Sequence, residues 1–307
     1  MSATEKITCP TRLGFIGLGH LGAPIARRLV SAGFPMIVYD LNEKNAQMLA
    51  AVGADIAPNP GQLAQEVDVV LSCLPDESSV EAVYLGPGNV LRSARPGTRI
   101  IELSTNSPNT ARKLALAARQ CDLTVLDVAV SGSSPAAEAG TLTLFGGGER
   151  QVFESAGSIF STIAKQWFYM GPAGSGVGMK LVVNTLLGVG MQAIAEAIAL
   201  GSGMGLPRDL LFDTLAKTAV IAPAHAGKLA TAKRRDYTPQ FPLRLMRKDF
   251  GLILAAAAGC HVAMPATESA AVINDAEASG GREEDFSAVI RRMEQEAGVE
   301  SLVPPAA

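Results

Sequence analysis

A glycine-rich turn between two short apolar strands is the feature of this 307-residue chain that most constrains its fold. The turn reads Gly17-Leu18-Gly19-His20-Leu21-Gly22; a β-like run precedes it, and a helical pattern and a second strand ending at Asp40 follow it. The spacing G-x-G-x-x-G inside a strand–helix–strand unit, with an acid at the end of the second strand, is typical of dinucleotide-binding domains. The sequence therefore predicts such a domain at this end of the chain.

Each glycine of the turn has its own mechanical task. Gly17 is expected to make the tight turn, Gly19 to let the backbone approach a pyrophosphate, and Gly22 to let helix and strand pack closely. The start of the following helix offers N–H groups and positive electrostatic potential to a phosphate. We therefore predict that residues 17–22, including Leu18, His20 and Leu21, face the cofactor. A tight structural turn without a ligand is the alternative interpretation.

Asp40 bears on the choice between the two nicotinamide dinucleotides. A carboxylate at this point accepts hydrogen bonds from a ribose diol and repels a 2′-phosphate. No arginine follows in Asp40-Leu41-Asn42, so the sequence favours NAD, with NADP as the alternative. Asp40 is also a suitable N-cap for the next helix, which is compatible with the cofactor role.

Strands and helices keep alternating up to residue 173, which predicts a mostly parallel sheet covered on both faces. Predicted strands end at Leu74-Pro75, just before Thr105, and at Ser131-Gly132-Ser133. Ligands of such sheets bind beyond the carboxyl ends of the strands. We therefore expect these segments to share one crevice, with Leu74, Pro75 and Thr105 contacting the cofactor.

A long apolar run, residues 174–205, follows the predicted sheet. Between Val177 and Gly205 only Lys180 and Glu196 are charged. As one helix at ~1.5 Å per residue, residues 177–205 would be about 40 Å long, and a helix that is apolar on nearly every side belongs in a core or between two domains. A membrane span is a further interpretation, but polar residues interrupt the run, so we expect no membrane insertion.

Lys180 and Asn184 are four residues apart, so they project from one face of this helix. An unpaired buried charge is destabilising, whereas a partly desolvated lysine titrates nearer neutrality and can exchange a proton. The alternative is a solvated lysine in the first helical turn.

Only helical periodicity follows, in residues 209–219, 223–233, 243–259, 265–279 and 284–297. The predicted fold class is α/β: an N-terminal Rossmann-type doubly wound sheet, then an all-α domain joined by the long helix. The predicted divisions are residues 1–173 for the dinucleotide-binding domain, 174–205 for the helix, 206–296 for a substrate and oligomerisation domain, and 297–307 for a flexible tail.

Composition narrows the class of partner. A net charge of −3 gives no electrostatic reason to expect nucleic acid or an anionic membrane. The four cysteines and three histidines show no metal-ligand spacing, so no metal site is predicted. Residues 1–10 lack the apolar core of a secretory signal, and the sequence therefore predicts a cytoplasmic protein with reduced thiols.

Four blocks together resemble the β-hydroxyacid dehydrogenase family, which includes 3-hydroxyisobutyrate dehydrogenases and glyoxylate/succinic semialdehyde reductases. The blocks are GFIGLGHLGAPIARRL from Gly14, DVAVSGSSPAAEAGTL from Asp127, GSGVGMKLVVN from Gly174 and FPLRLMRKDFGL from Phe241. The resemblance implies an NAD(P)-dependent oxidoreductase that interconverts a small carboxylate-bearing β-hydroxyacid and its semialdehyde or keto acid. It also implies a homodimer or homotetramer.

The resemblance further implies roles for single residues. Lys180 matches the family's general acid/base, and Asn184 matches an asparagine that hydrogen-bonds the reacting or a neighbouring substrate oxygen. Ser131 and Gly132 match a pair that holds the substrate carboxylate, while Ser133 stands where a second glycine is usual.

Two further positions are assigned by the same resemblance. Lys248 matches a lysine near the cofactor or the substrate carboxylate, and Phe241 matches a substrate-binding position of the semialdehyde reductases. That branch mostly uses NADP, which conflicts with Asp40 and leaves the sub-branch open. Imine reductases, which usually have aspartate or tyrosine in place of Lys180, and a non-catalytic cofactor-binding module are the alternatives.

Overall fold

The computed structural model of the protein describes residues 5–279 and 283–299. The chain divides into two compact units, Met1–Lys180 and Leu181–Ala307. The boundary falls inside the long helix, directly after Lys180. The predicted flexible tail lies outside the described residues from residue 300 onward.

The first unit is built on one sheet of eight strands in the order β3-β2-β1-β4-β5-β6-β7-β8. The strands are β1 Leu13–Ile16, β2 Met36–Tyr39, β3 Asp55–Ile56, β4 Val69–Ser72, β5 Arg99–Glu102, β6 Thr124–Ser131, β7 Leu142–Gly147 and β8 Ala164–Gly171. Neighbouring strands are parallel except β6 and β7, which are antiparallel. The order changes direction between β1 and β4, and that is where a doubly wound sheet binds its ligand.

In the part of this unit that the structure describes, nine helices connect these strands. They are α1 Gly22–Ser31, α2 Glu43–Ala50, α3 Pro60–Glu66, α4 Glu77–Leu85, α5 Val90–Ser93, α6 Pro108–Arg119, α7 Ser134–Ala139, α8 Arg150–Ser155 and α9 Gly157–Ile163. Successive strand residues pack into different cores: Val69 and Leu71 of β4 join one hydrophobic cluster and Val70 joins the other. Burial on both faces follows from the two-residue side-chain period and explains the continuously apolar strands.

The second unit is helical. Its helices are the long α10 Ser175–Gly203, which begins in the first unit, then α11 Arg208–Leu215, α12 Pro223–Lys233, α13 Leu243–Gly259, α14 Pro265–Ala278 and α15 Val289–Glu296. No strand is present in residues 181–279 and 283–299; the only β pairing there is an isolated bridge between Pro242 and Asp285. The predicted fold class, a Rossmann-type sheet followed by an all-α region, is confirmed.

Some local predictions differ from the structure; the helix predicted over residues 209–219, for example, spans Arg208–Leu215. β3 was not predicted, because its two residues, Asp55 and Ile56, are exposed and show no apolar alternation. The helix predicted from residue 284 begins instead with a 3-10 turn, Phe286–Ala288, because Asp285 caps it through Ser287 N.

α10 is the one helix in the described residues that is long and apolar enough to cross a membrane, with a mean hydropathy of 1.6 in its most apolar window. Core helices have the same property. Met191, Ile194 and Ile198 of α10 belong to the hydrophobic core of the second unit, so packing accounts for the apolar run on that face of the helix.

Candidate active site

The glycine turn links β1 to α1, and its three glycines differ in the space that surrounds them. Gly17 has φ 89°, and a side chain there would lie 2.4 Å from the Cys73 carbonyl oxygen. At Gly22 a Cβ would lie 2.0 Å from the Gly17 carbonyl oxygen, whereas at Gly19 no atom of the described residues lies within 4 Å of the Cβ position. The first glycine is thus required by backbone conformation and the third by close packing, and the second leaves open space.

The first turn of α1 carries no side-chain cap. Its N-cap position is Leu21, which has no hydrogen-bonding side chain, whereas α2, α3 and α4 are each capped by an asparagine or aspartate. Uncapped amides at a helix start are suited to binding an anion. In a chain whose glycine turn leaves space beside Gly19, this arrangement is suited to a pyrophosphate.

Asp40 lies at the edge of the glycine turn. Its Oδ2 accepts a hydrogen bond from Leu18 N at 2.6 Å, and its Oδ1 accepts from Asn42 N at 2.8 Å and Asn45 Nδ2 at 3.2 Å. These donors hold the carboxylate in one orientation. An ionised carboxylate has about four acceptor positions, so the three observed bonds leave capacity for a ribose hydroxyl.

The loops after β4 and β5 are joined to each other and to the glycine turn. Leu74 N donates to Ser104 Oγ at 2.7 Å, and Leu74 Cδ2 lies 2.9 Å from the Cβ position at Gly17. Thr105 directly follows Ser104, and Pro75 directly follows Leu74. The structure therefore brings together the segments that were predicted to contact the cofactor.

The segment predicted to hold the substrate carboxylate begins at the end of β6. Ser131 is the last residue of the strand. Gly132 has φ 141°, and a Cβ there would lie 2.6 Å from Leu142 Cδ2, so any other residue would be strained at this position. Ser133 is the N-cap residue of α7, and its hydroxyl makes no capping hydrogen bond.

Asp127 of β6 fixes the start of α10. Its Oδ1 accepts a hydrogen bond from Gly174 N at 2.9 Å and its Oδ2 accepts from Val177 N at 3.0 Å. Burial raises the pKa of Asp127, and these backbone donors partly offset the rise. Lys180 lies about one turn further along and is buried, with 8% of its surface exposed. The sheet thus sets where the helix that carries Lys180 begins.

Asn184 lies one turn beyond Lys180 on α10 and is fully buried. Its Nδ2 donates to Asp249 Oδ2 of α13 at 2.5 Å, while its Oδ1 has no hydrogen-bond partner among the described residues. The other Asp249 oxygen, Oδ1, lies 3.2 Å from Lys248 Nζ. Asp249 therefore decides which end of the Asn184 amide faces away from α13.

Phe241 lies in the loop before α13, and that loop is held by Asp285. Asp285 Oδ2 accepts hydrogen bonds from Gln240 N and Phe241 N at 3.0 Å each, and it also pairs with the Lys228 ammonium. The Phe241 ring packs edge-on against Phe286, with 5.6 Å between ring centroids. The loop conformation is thus set by a buried ion pair.

Three acids that position these predicted residues were given no role from the sequence. Asp127 and Asp249 lie inside two of the sequence blocks that carry the family resemblance. An acid within an otherwise apolar strand (Asp127) and an acid beside Lys248 (Asp249) were signals that could have identified them. Asp285 had none, because its partners are distant in sequence.

Two family models match almost the whole chain. The model described as the NAD binding domain of 6-phosphogluconate dehydrogenase matches residues 12–171, and that described as the NAD-binding of NADP-dependent 3-hydroxyisobutyrate dehydrogenase matches residues 174–293. The 2-(hydroxymethyl)glutarate dehydrogenase of Eubacterium barkeri is 36% identical, covering 94% of this chain and 96% of that protein. The NAD-dependent L-serine dehydrogenase of Pseudomonas aeruginosa is 38% identical, covering 80% and 85%.

Solved structures of similar proteins support the same family assignment. Mycobacterium tuberculosis 3-hydroxyisobutyrate dehydrogenase with L-serine matches with a TM-score of 0.84 and 32% identity, covering 92% of this chain and 99% of that one. An imine reductase of Myxococcus stipitatus has a TM-score of 0.64 but 17% identity, so that likeness concerns the fold alone. The chain therefore belongs to the β-hydroxyacid dehydrogenase family of NAD(P)-dependent oxidoreductases.

Proposed function

We propose that the protein oxidises a small β-hydroxyacid to its semialdehyde with NAD, and that Lys180 transfers the proton. The observation that carries this proposal is the pairing of a buried lysine with an oriented asparagine one turn further along the same helix. Oxidation of a hydroxymethyl group to an aldehyde releases one hydride and one proton. A bound nicotinamide dinucleotide accepts the hydride, which leaves the protein to position the alcohol and take the proton.

Lys180 handles the proton in either direction. As a neutral amine it accepts the hydroxyl proton during oxidation, and as an ammonium it returns a proton to the oxygen during reduction. The Asn184 amide has a second N–H that Asp249 does not use. That N–H is suited to stabilise the negative charge that develops on the reacting oxygen.

NAD is the proposed cofactor because of Asp40. Its carboxylate is fixed beside the glycine turn by Leu18 N and Asn42 N. A 2′-phosphate placed against this charge would be repelled, whereas a ribose diol would donate to it. The neighbouring Leu41 is 92% exposed and carries no charge that could pair with a phosphate.

The proposed substrate class is a propanoate with a 3-hydroxyl group and a variable substituent at C2. L-Serine and 2-(hydroxymethyl)glutarate, named in two relatives, share this arrangement of a hydroxymethyl group next to a carboxylate-bearing carbon. Ser131, Gly132 and Ser133 would hold the carboxylate, because backbone N–H groups and hydroxyls after a strand end can surround an anion.

A rate panel tests the proposal. The panel contains 2-substituted 3-hydroxypropanoates, the corresponding semialdehydes and a cyclic imine, each with NAD(H) and with NADP(H). We expect turnover of at least one 3-hydroxypropanoate with NAD. Failure of the whole panel with both dinucleotides, or faster reduction of the imine than of every semialdehyde, would contradict the proposal.

We also propose that the protein forms a homo-oligomer through α10. Val182, Leu186 and Leu200 on this helix are 57%, 72% and 65% exposed, respectively. Large apolar side chains exposed repeatedly along one helix are typical of a protein–protein contact. A second copy of the chain is the proposed partner, because a twofold axis can place the same surface against itself.

A further inference from the structure

A buried carboxyl group at the end of β5 accepts hydrogen bonds from both sides of Thr105. Glu102 is 1% exposed. Its Oε1 accepts from Ser104 N at 2.9 Å and from Ser72 Oγ at 3.3 Å, and its Oε2 accepts from Asn106 Nδ2 at 2.8 Å. The residues on either side of Thr105 are therefore tied to one side chain, Ser104 through its backbone N–H and Asn106 through its side-chain amide.

The same carboxyl group reaches the loop after β4 through Ser104. Ser104 N donates to Glu102, while Ser104 Oγ accepts from Leu74 N. Leu74 in turn packs against the glycine turn beside Gly17. Glu102 thus supports two loops and, through them, one side of the glycine turn, which forms part of the proposed dinucleotide site.

The surroundings of Glu102 destabilise the ionised form of its carboxyl group. Burial raises its pKa to about 7, and the charge of Asp127, its register partner on β6, adds to the rise. Tyr84 of α4 donates to Ser72 Oγ at 2.6 Å and so completes the network. An apolar residue would avoid this desolvation, so packing alone does not account for an acid here.

Asn106 is a hydrogen-bond donor in this network. It is fully buried and donates to Glu102 through Nδ2, while its Oδ1 has no partner among the described residues. The pair therefore depends on a donor at residue 106 facing an acceptor at residue 102. Two carboxylates in these positions would repel each other unless they shared a proton.

We propose that Glu102 is a positioning residue for the dinucleotide, and that with Asn106 and Ser104 it holds the loops after β4 and β5 in the conformation that receives the cofactor. The inference rests on the dinucleotide site of the proposed function and is independent of the substrate class and of Lys180.

The experiment measures the Kd of NADH by fluorescence titration, and the Tm, for the intact protein and four variants. Glu102→Leu removes the acceptor contacts at similar volume, and Ser104→Ala removes the link to Leu74 together with the hydrogen bond from the Ser104 hydroxyl to Glu102. Asn106→Asp places a second carboxyl against Glu102. The double variant Glu102→Gln/Asn106→Asp restores a donor facing an acceptor with the two roles exchanged.

We expect Glu102→Leu and Ser104→Ala each to raise the Kd on the order of tenfold. Asn106→Asp should bind NADH at pH 6, where the two carboxyls share a proton, and about tenfold more weakly at pH 9. In the double variant, the ratio of the Kd for NADH at pH 9 to that at pH 6 should return to within about twofold of the wild-type ratio.

The matched control is Glu294→Gln, a buried glutamate of the second unit that pairs with Arg208. It should lower the Tm while leaving the Kd for NADH unchanged. The proposal is overturned if folded Glu102→Leu or Ser104→Ala binds NADH like the wild type, or if Asn106→Asp shows no added pH dependence. Should Glu102→Leu fail to fold, Ser104→Ala decides; absence of NADH binding by the wild type would instead reject the proposed function itself.

Discussion

The Asn184 side-chain amide donates to Asp249 over 2.5 Å, and both residues are almost inaccessible to solvent. An ionised carboxylate only accepts hydrogen bonds, so Asp249 admits one orientation of the amide. Asn184 is one helical turn from Lys180, the proposed proton carrier. Asp249 therefore controls which Asn184 atoms face away from α13, where we propose that the substrate oxygen binds.

Replacing Asp249 by asparagine should remove this control at almost constant volume. The Asn184 amide could then adopt either orientation, and we expect kcat/KM for the hydroxyacid to fall by roughly 10- to 100-fold. Steady-state kinetics at saturating NAD would measure the loss. Asp275→Asn, at an exposed ion pair with Arg247, is the control; an equal loss in both variants would remove Asp249 from the positioning role.

Lys180→Met should remove proton transfer while preserving the apolar stem of the side chain. General acid–base groups contribute about 10²- to 10⁴-fold to rate, so kcat should fall by that order while the Kd for NADH changes little. A pH–rate profile of the wild type should show a basic group whose signature is absent from the variant. Lys233→Met, at a surface pair with Asp213, serves as the control, and near-normal turnover of Lys180→Met would exclude the proposed role.

Asp40→Asn should shift cofactor preference towards NADP. The substitution keeps one side-chain oxygen to accept from the turn but removes the negative charge that would repel a 2′-phosphate. We expect the ratio of kcat/KM for NAD to that for NADP to fall at least about tenfold. An unchanged ratio, measured with one substrate at one ionic strength, would show that Asp40 does not select the cofactor.

Glu102 should make the protein less stable as pH rises towards neutrality. Its pKa is raised from 4.5 to about 7, so between these values the folded state retains a proton that the unfolded chain has lost. The free energy of unfolding therefore decreases with rising pH across this window and becomes independent of Glu102 above it. Urea denaturation at pH 5 and pH 7.5 should show a smaller decrease for Glu102→Gln than for the wild type. A part of the decrease should remain, because the pKa of Asp127 is also raised.

Leu200→Glu should weaken self-association through α10. Leu200 is 65% exposed, and a carboxylate repeated across a twofold contact would be both desolvated and repelled. Light scattering coupled to size exclusion should show a dimer or tetramer for the wild type and a smaller species for the variant. A monomeric wild type, or an unchanged assembly of the variant, would contradict the proposed interface.

The sequence alone was sufficient for the features that depend on neighbouring residues. The turn was predicted from Gly17, Gly19 and Gly22, because the spacing of these glycines and the strands that flank them form a local sequence pattern. The bounds predicted for α12 and α13 are those observed, Pro223–Lys233 and Leu243–Gly259, since helical periodicity is also local. Lys180 and Asn184 could be placed on one helical face for the same reason.

Only the tertiary structure decided which partners the buried acids have. Asp127 accepts a hydrogen bond from Gly174 at the start of α10, 47 residues further along the chain, and Asp249 accepts one from Asn184, 65 residues earlier. The sequence predicted a role for Asn184 but not the orientation of its amide. The antiparallel pairing of β6 with β7 could not be predicted either, because the sequence of a buried apolar strand does not show in which direction its neighbour runs. A carboxylate takes the donors that packing brings within about 3 Å of it, and chain segments far apart in sequence supply those donors.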